Sequence, residues 1–333
     1  MKMKILTSCL TFVVLLFETG CVRLDAPVAQ RNAKPLPEWV TTGLGYKKVL
    51  VPEAILAPVS LRHRLYTART NTIIVREFGV TNVIESDFYL PKGKIGPFPV
   101  VIILPISAGG KYPLENFFAR YFVKHGFAVL IVHRESERNP TSSEDINRIF
   151  RQALIDSSRV IDWVETRPEL DSKSIVLMGT SLGGIKGAAL VATEPRLKAA
   201  VLGLCGGDLA KIIARSTDGQ WKSTEAKPRG IFGKRNAYLA KNHLTQKEFE
   251  EKLHREVVWS PDKFAASVET EKVFLILGGL DTVVPFETGW RLRKAMGKPR
   301  TKVLLSGHYT ALFYLVDIRA SALRFFNEKL GRQ

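Results

Sequence analysis

Residues 174–190 read SIVLMGTSLGGIKGAAL. The apolar run Ile175-Val176-Leu177-Met178 passes directly into Gly179-Thr180-Ser181-Leu182-Gly183, and small residues carry the chain on through Gly184, Gly187, Ala188 and Ala189. The run has the length and composition of a buried strand, and the segment after it reads as a helix packed close to that strand. Gly-x-Ser-x-Gly alone is a weak signal. Between a strand and a helix it describes a sharp, strained turn that exposes a serine hydroxyl, with small residues where a side chain would collide. Ser181 is then either a nucleophile or a serine in a turn built for packing alone.

The surrounding chain repeats the strand–helix rhythm. Continuous apolar runs at 98–105 (FPVVIILP), 127–133 (FAVLIVH), 198–206 (KAAVLGLCG), 272–279 (KVFLILGG) and 301–307 (TKVLLSG) read as strands covered on both faces. Strands are also expected in TIIVREFGV (72–80) and ESDFYLPKG (85–93), the second ending in a turn signal. Helical spacing appears in 114–126, 142–168 and 310–331. The long middle helix starts behind Ser142 or Ser143 and stops before Pro168. Alternation of this kind predicts an α/β fold with a mostly parallel sheet and helices on both faces. Right-handed crossovers put the carboxyl ends of the parallel strands on one edge, where ligands bind. The interval 208–270 breaks the rhythm. A structureless loop of about 60 residues would be unusual, so we expect a small helical cap there, containing Trp221 and a helix in LTQKEFEEKLHREV.

A serine hydroxyl needs a base, and the base needs a carboxylate to orient it. Of six histidines, His308 follows the last strand, at the edge that displays Ser181. His133 also ends a strand, but precedes the serine in the chain. His63, His125, His243 and His254 lie before the sheet, at a helix end or in the cap. The acid is expected between serine and histidine in chain order. Asp281, after a buried strand and two glycines, is favoured over Asp208, which reads as a helix N-cap, and over Glu287. Oxyanion donors are expected from the backbone N–H of Leu182 and from the loop LPISAGGKY, at Ser107 or Ile106, with Ser107 preferred.

With these residues in place the chain resembles an α/β-hydrolase over about residues 70–330. The run ALIDSSRVIDWVETRPELDSKSIVLMGTSLGG is similar to the equivalent region of dienelactone-hydrolase-like and prolyl-oligopeptidase-like esterases, and GGLDTVVP and GHY resemble their acid and base segments. The resemblance implies a serine hydrolase with the triad Ser181, Asp281 and His308. Dienelactone hydrolases proper carry Cys at the nucleophile position, so Ser181 points to ordinary ester hydrolysis. Many relatives have His-Gly before the oxyanion loop, where this chain has Pro105-Ile106. The segment ahead of the sheet is too short for an oligopeptidase propeller, which weighs against peptide cleavage of that restricted kind.

The first residues belong to a different regime. Lys2 and Lys4 precede an apolar run from Ile5 to Phe17, and Thr19-Gly20-Cys21 follows. The layout is that of a secretory signal over 1–20, and its end resembles a lipoprotein signal in which Cys21 is lipidated, although Glu18 stands where an apolar residue is usual. Residues 21–69 then read as a tether and N-terminal arm, rich in Pro and Ala. Export to a bacterial cell envelope is the expectation, with a membrane tether through Cys21 or a soluble periplasmic or secreted form as the alternative. Only Cys205 remains in the body, so no internal disulfide is expected. The net charge of +17 suits anionic surfaces, but Lys and Arg are dispersed and no nucleic-acid motif occurs. The expected function is an exported carboxylester hydrolase that needs no cofactor or metal and acts on a small-molecule, carbohydrate or lipid ester. An acyltransferase on the same triad and a non-catalytic envelope protein are the other readings.

Overall fold

The structure, a computed structural model, describes residues 21–25, 33–48, 53–77, 80–107, 111–133, 140, 142–217 and 235–332. The expected signal over 1–20 lies outside the described residues. The apolar runs form the middle of one sheet. Its strands are β1 (Cys21–Leu24), β2 (Glu53–Leu56), β3 (Leu61–Arg62), β4 (Tyr66–Glu77), β5 (Val80–Pro91), β6 (Phe98–Leu104), β7 (Ala128–Val132), β8 (Leu170–Thr180), β9 (Leu197–Gly203), β10 (Val273–Gly278) and β11 (Arg300–Leu304). Their order is β1-β11-β10-β9-β8-β6-β7-β5-β4-β2, with β3 attached to β4. The strands from β11 across to β7 are mutually parallel. β1, β5, β4 and β2 join antiparallel at the flanks.

Alternate side chains of each central strand enter two cores, as the pleat requires. In β6, Val100, Ile102 and Leu104 face one layer, and Val101 and Ile103 face the other. The first layer contains α1 (Glu38–Leu44), α3 (Ser143–Glu165), α4 (Leu182–Thr193), α5 (Leu209–Arg215), α7 (Gln246–Glu256) and α8 (Phe286–Ala295). The second contains α2 (Pro113–Lys124) and α9 (Leu315–Lys329), where Phe118, Phe122, Phe325 and Phe326 are buried. Ser142 caps α3 by accepting the Asp145 N–H at 3.1 Å. The last helix, expected over 310–331, starts as a 3-10 turn, Thr310–Tyr314, before α9.

The segment expected as a tether and arm over 21–69 is built into the body wherever it is described. β1 pairs with β11, β2 pairs with β4, and β4 starts at Tyr66. Val40 and Leu44, four apart on α1, are buried in the first core. A Pro- and Ala-rich composition conceals this, because the attachment is made by short strand pairings and by two residues on one short helix.

In the interval expected as a cap, residues 218–234, including Trp221, lie outside the described residues. The rest forms α5, α6 (Arg235–Lys241), α7 and three 3-10 turns. α7 opens with a capping box between Thr245 and Glu248. It packs in the helical layer beside α3, where Ser143 Oγ donates to Glu256 at 2.6 Å and Asn147 Nδ2 donates to the Glu256 carbonyl at 2.8 Å. One end of the insertion reaches the sheet's carboxyl edge, where the Thr217 N–H donates to the Thr282 carbonyl at 3.0 Å.

At the opposite end of the sheet, the buried Asp162 carboxylate receives Arg196 at 2.8 Å, with Arg159 at 3.5 Å and the Tyr46 hydroxyl also against it. Arg196 reaches on to Glu194 at 2.6 Å and Glu165 at 3.2 Å. The network joins the segment after α1 to α3 and to the turn before β9. Removing one member of a buried ionic set leaves the others desolvated and uncompensated, which costs about 3–5 kcal/mol. Asp162→Ala should therefore lower the urea midpoint by that equivalent with little change in m-value, as read by circular dichroism.

Candidate active site

β8 ends at Thr180 and α4 begins at Leu182, so Ser181 alone makes the turn, at φ 54° and ψ −122°. Positive φ is strained for a residue with a Cβ and persists only where the surroundings impose it. Here they do. The Ser181 N–H donates to the Gly203 carbonyl on β9, and the Ser181 carbonyl accepts the Ile185 N–H, both at 2.9 Å. The glycines supply the room. A Cβ on Gly183 would lie 2.0 Å from the Leu104 carbonyl oxygen at the end of β6, and one on Gly179 would lie 2.3 Å from the Gly183 carbonyl oxygen.

His308 follows β11 and Asp281 follows β10, and the sheet order brings both beside Ser181. His308 Nε2 is 3.0 Å from Ser181 Oγ, and His308 Nδ1 is 2.7 Å from Asp281 Oδ2. Asp281 Oδ1 accepts the N–H groups of Val283 and Val284, each at 2.9 Å. The Asp281 side chain is 2% exposed and that of His308 10%. An ionised carboxylate only accepts, so the proton sits on Nδ1 and Nε2 is the acceptor for the serine hydroxyl. The arrangement can take a proton from Ser181 and hold the resulting imidazolium against a fixed negative charge.

The other candidates fall elsewhere. Asp208 caps α5, accepting the Lys211 N–H at 2.9 Å, and also meets His254 at 2.9 Å. Glu287 pairs with Lys211 at 3.1 Å. His133 bonds Asp87 at 3.0 Å and stacks on Tyr112. Its burial alone would lower its pKa, but the hydrogen bond and charge of Asp87, with Glu85, outweigh this and hold it above the ordinary value. Burial pushes the Cys205 thiol up to about 12, with the Asp281 charge adding to the effect, so it stays protonated beside the site.

Leu182 presents its N–H from the first residue of α4, where helix amides lack an intrahelical acceptor. Ser107 is exposed just beyond β6, and residues 108–110 of its loop lie outside the described residues. Ile106, the other candidate in that loop, gives its N–H to Glu115 Oε1 at 2.8 Å. Glu115, buried in the first turn of α2, is a positioning group that sequence reasoning missed. Among the described residues, no group of three or more His, Cys, Asp or Glu side chains is arranged to hold a metal ion.

Comparison with known proteins gives the family and the fold. The sequence model of the X-Pro dipeptidyl-peptidase (S15 family) matches residues 57–262. The chain belongs to the S15 peptidase family. No curated protein matches the sequence. Solved structures share the fold of this S15 family member, which is the α/β-hydrolase fold. Acetyl xylan esterase 1 from Thermoanaerobacterium sp. JW/SL YS485 superposes with TM-score 0.60 at 19% identity, over 89% of this chain and 99% of that one. An acetyl xylan esterase from Paenibacillus sp. R4 gives 0.62 at 17%, over 89% and 97%. The α/β hydrolase GrgF from Penicillium sp. sh18 gives 0.55 at 14%, over 79% and 99%.

Two outcomes test this description of the candidate site and its surroundings. Gly183→Ala, whose new methyl meets the β6 carbonyl, should destabilise the fold by about 3 kcal/mol or more, read by urea unfolding. The raised pKa of His133 means that its pairing contributes fully below about pH 6.5 and is lost as pH rises through the folded value. The stability advantage of the parent over His133→Gln should therefore be larger at about pH 5.5 than at about pH 8.5, by denaturant titration at both.

Proposed function

We propose that this protein is an exported serine carboxylester hydrolase acting through Ser181, His308 and Asp281. The observation that carries the reading is the unbroken hydrogen-bonded chain from Ser181 Oγ through both ring nitrogens of His308 to Asp281. His308 takes the hydroxyl proton as Oγ attacks the acyl carbonyl, and Asp281 stabilises the charged ring. The oxyanion forms against the Leu182 and Ser107 N–H groups. The alcohol departs with the proton from His308. Water, deprotonated by the same ring, then releases the acid and restores Ser181.

An ester substrate is favoured over the dipeptide amide in the family's name. Release of an N-terminal dipeptide calls for a carboxylate to receive the substrate ammonium. Among the described residues around the strand ends, Glu287 is engaged by Lys211, Asp208 by His254, Asp87 and Glu85 by His133, and Glu115 by the Ile106 N–H. The acetyl xylan esterases that share the fold support a short acyl group as the first to try. Export rests on the Lys-led apolar run before Cys21.

The test compares p-nitrophenyl acetate, p-nitrophenyl butyrate and an X-Pro p-nitroanilide on the parent and on Ser181→Ala. Ester turnover that falls by on the order of 10³-fold or more in the variant is expected. Asp281→Asn, which disturbs the ring tautomer, should lose on the order of 10³–10⁴-fold in kcat. Faster cleavage of the anilide than of either ester would replace this reading with a peptidase. Turnover unchanged in Ser181→Ala would end it.

A further inference from the structure

The acid of the candidate site stands on a turn that is gripped from two sides. On one side is the turn that carries the base. The Gly279 N–H donates to the Leu304 carbonyl at 2.8 Å, and the Leu280 N–H donates to the Ser306 carbonyl at 2.9 Å, just before His308 in the chain. On the other side is the insertion. Thr217 meets Thr282, the residue after Asp281, in two places. Its N–H donates to the Thr282 carbonyl at 3.0 Å, and the two side-chain hydroxyl oxygens are 2.6 Å apart. The bonds from Val283 and Val284 to Asp281 Oδ1 orient the carboxylate within its own turn. Where that turn stands relative to His308 is set by contacts that reach it from outside.

Thr217 is suited to this by what it stands on. It follows α5, whose Leu209, Ala210, Ile212, Ile213 and Ala214 are buried in the first core. Asp208 caps the start of that helix, and the Ser216 N–H closes its end on the Ile212 carbonyl at 2.9 Å. Two contacts from α7 hold the same end. Gln246 Nε2 donates to the Ala214 carbonyl at 2.6 Å, and Arg215 Nε donates to Glu250 at 2.6 Å. Lys211, also on α5, meets Glu287 at 3.1 Å in the first turn of α8. Glu287 adjoins Phe286, whose N–H donates to the Asp281 carbonyl at 3.1 Å. The insertion thus braces the acid's surroundings at Thr282 and again at Glu287.

Thr217 and Thr282 are both exposed. A hydrogen bond between exposed groups adds little to stability, because water can take the place of either partner. Catalysis is far more sensitive to placement, and a shift of about 1 Å in the reacting groups costs on the order of 100-fold in rate. A pair of bonds at the edge of the acid's turn therefore matters more to the reaction than to the fold. We propose that Thr217 is a positioning residue: through Thr282 it holds the Asp281 carboxylate where it keeps His308 aligned on Ser181. Its effect on turnover rests on the hydrolase reading above; its hold on the Asp281–His308 pair does not.

The test compares the parent with Thr217→Val, which removes the hydroxyl and keeps the shape, and with Thr217→Ser, which keeps the hydroxyl. Thr217→Val should lower kcat for p-nitrophenyl acetate about 10-fold with KM held within about 2-fold, and Thr217→Ser should stay within about 2-fold of the parent in both. A second readout needs no substrate. The proton between His308 Nδ1 and Asp281 gives a far-downfield NMR resonance, and its exchange with water reports how often the pair opens. In Thr217→Val it should exchange about 5-fold faster than in the parent. Ser143→Ala, which removes a bond between α3 and the same insertion, is the control and should leave kcat and exchange unchanged. Exchange in Thr217→Val that matches the parent, or an equal loss of kcat in Ser143→Ala, would overturn the proposal. Ester turnover that survives Ser181→Ala ends the hydrolase reading instead, while the exchange rate still decides what Thr217 holds.

Discussion

The contact between the Gly183 Cα and the Leu104 carbonyl oxygen is the constraint from which the site follows. It brings the first turn of α4 against the end of β6, closer than any side chain at Gly183 allows. That closeness forces the chain between β8 and α4 into a one-residue turn, and it puts the strain on Ser181 rather than on a glycine. The same approach sets the start of α4 against the end of β6, so Ser181 and the proposed oxyanion donors are positioned by one packing decision. β9 completes the grip by accepting the Ser181 N–H through Gly203. The serine is strained because three adjacent elements agree on where it stands.

His308 is held by a different kind of control. Its partner Asp281 has both carboxylate oxygens occupied, one by the ring and one by two backbone amides two and three residues on. The carboxylate therefore cannot rotate away without giving up two hydrogen bonds in a nearly dry pocket. Cys205, close enough to feel the Asp281 charge, is kept protonated and out of the chemistry. Precision at the imidazole thus comes from short-range backbone bonds within the turn that carries Asp281.

The legible parts of this protein were those with direct local causes. Ser181, Asp281 and His308 each follow a buried apolar run, and strand ends in a parallel sheet converge whatever the loops between them do. Asp208 was legible as a cap because an N-cap is defined within three residues. Glu115 was not, since its partner is a backbone amide on another element, and only the packing of α2 against β6 brings them together. The α8 helix was missed because it opens on Pro285 and Phe286, which read as a continuation of the loop after β10. β1 and α1 were missed because four and seven residues are too few to show a period, and their attachment rests on pairing and on Val40 and Leu44.

The two short strands at the flanks have a further effect. An open parallel sheet ends in rows of unpaired amides and carbonyls, which are templates for joining another chain. Here one margin is lined by β1 and the other by β2 and β3, each of four residues or fewer and each antiparallel to its neighbour. A second molecule seeking to extend the sheet meets outer strands of four residues or fewer, with Arg23 and Glu53 in the two rows. The long apolar strands that build the site are thereby kept from serving as seeds for aggregation, by segments whose composition suggested that they did nothing.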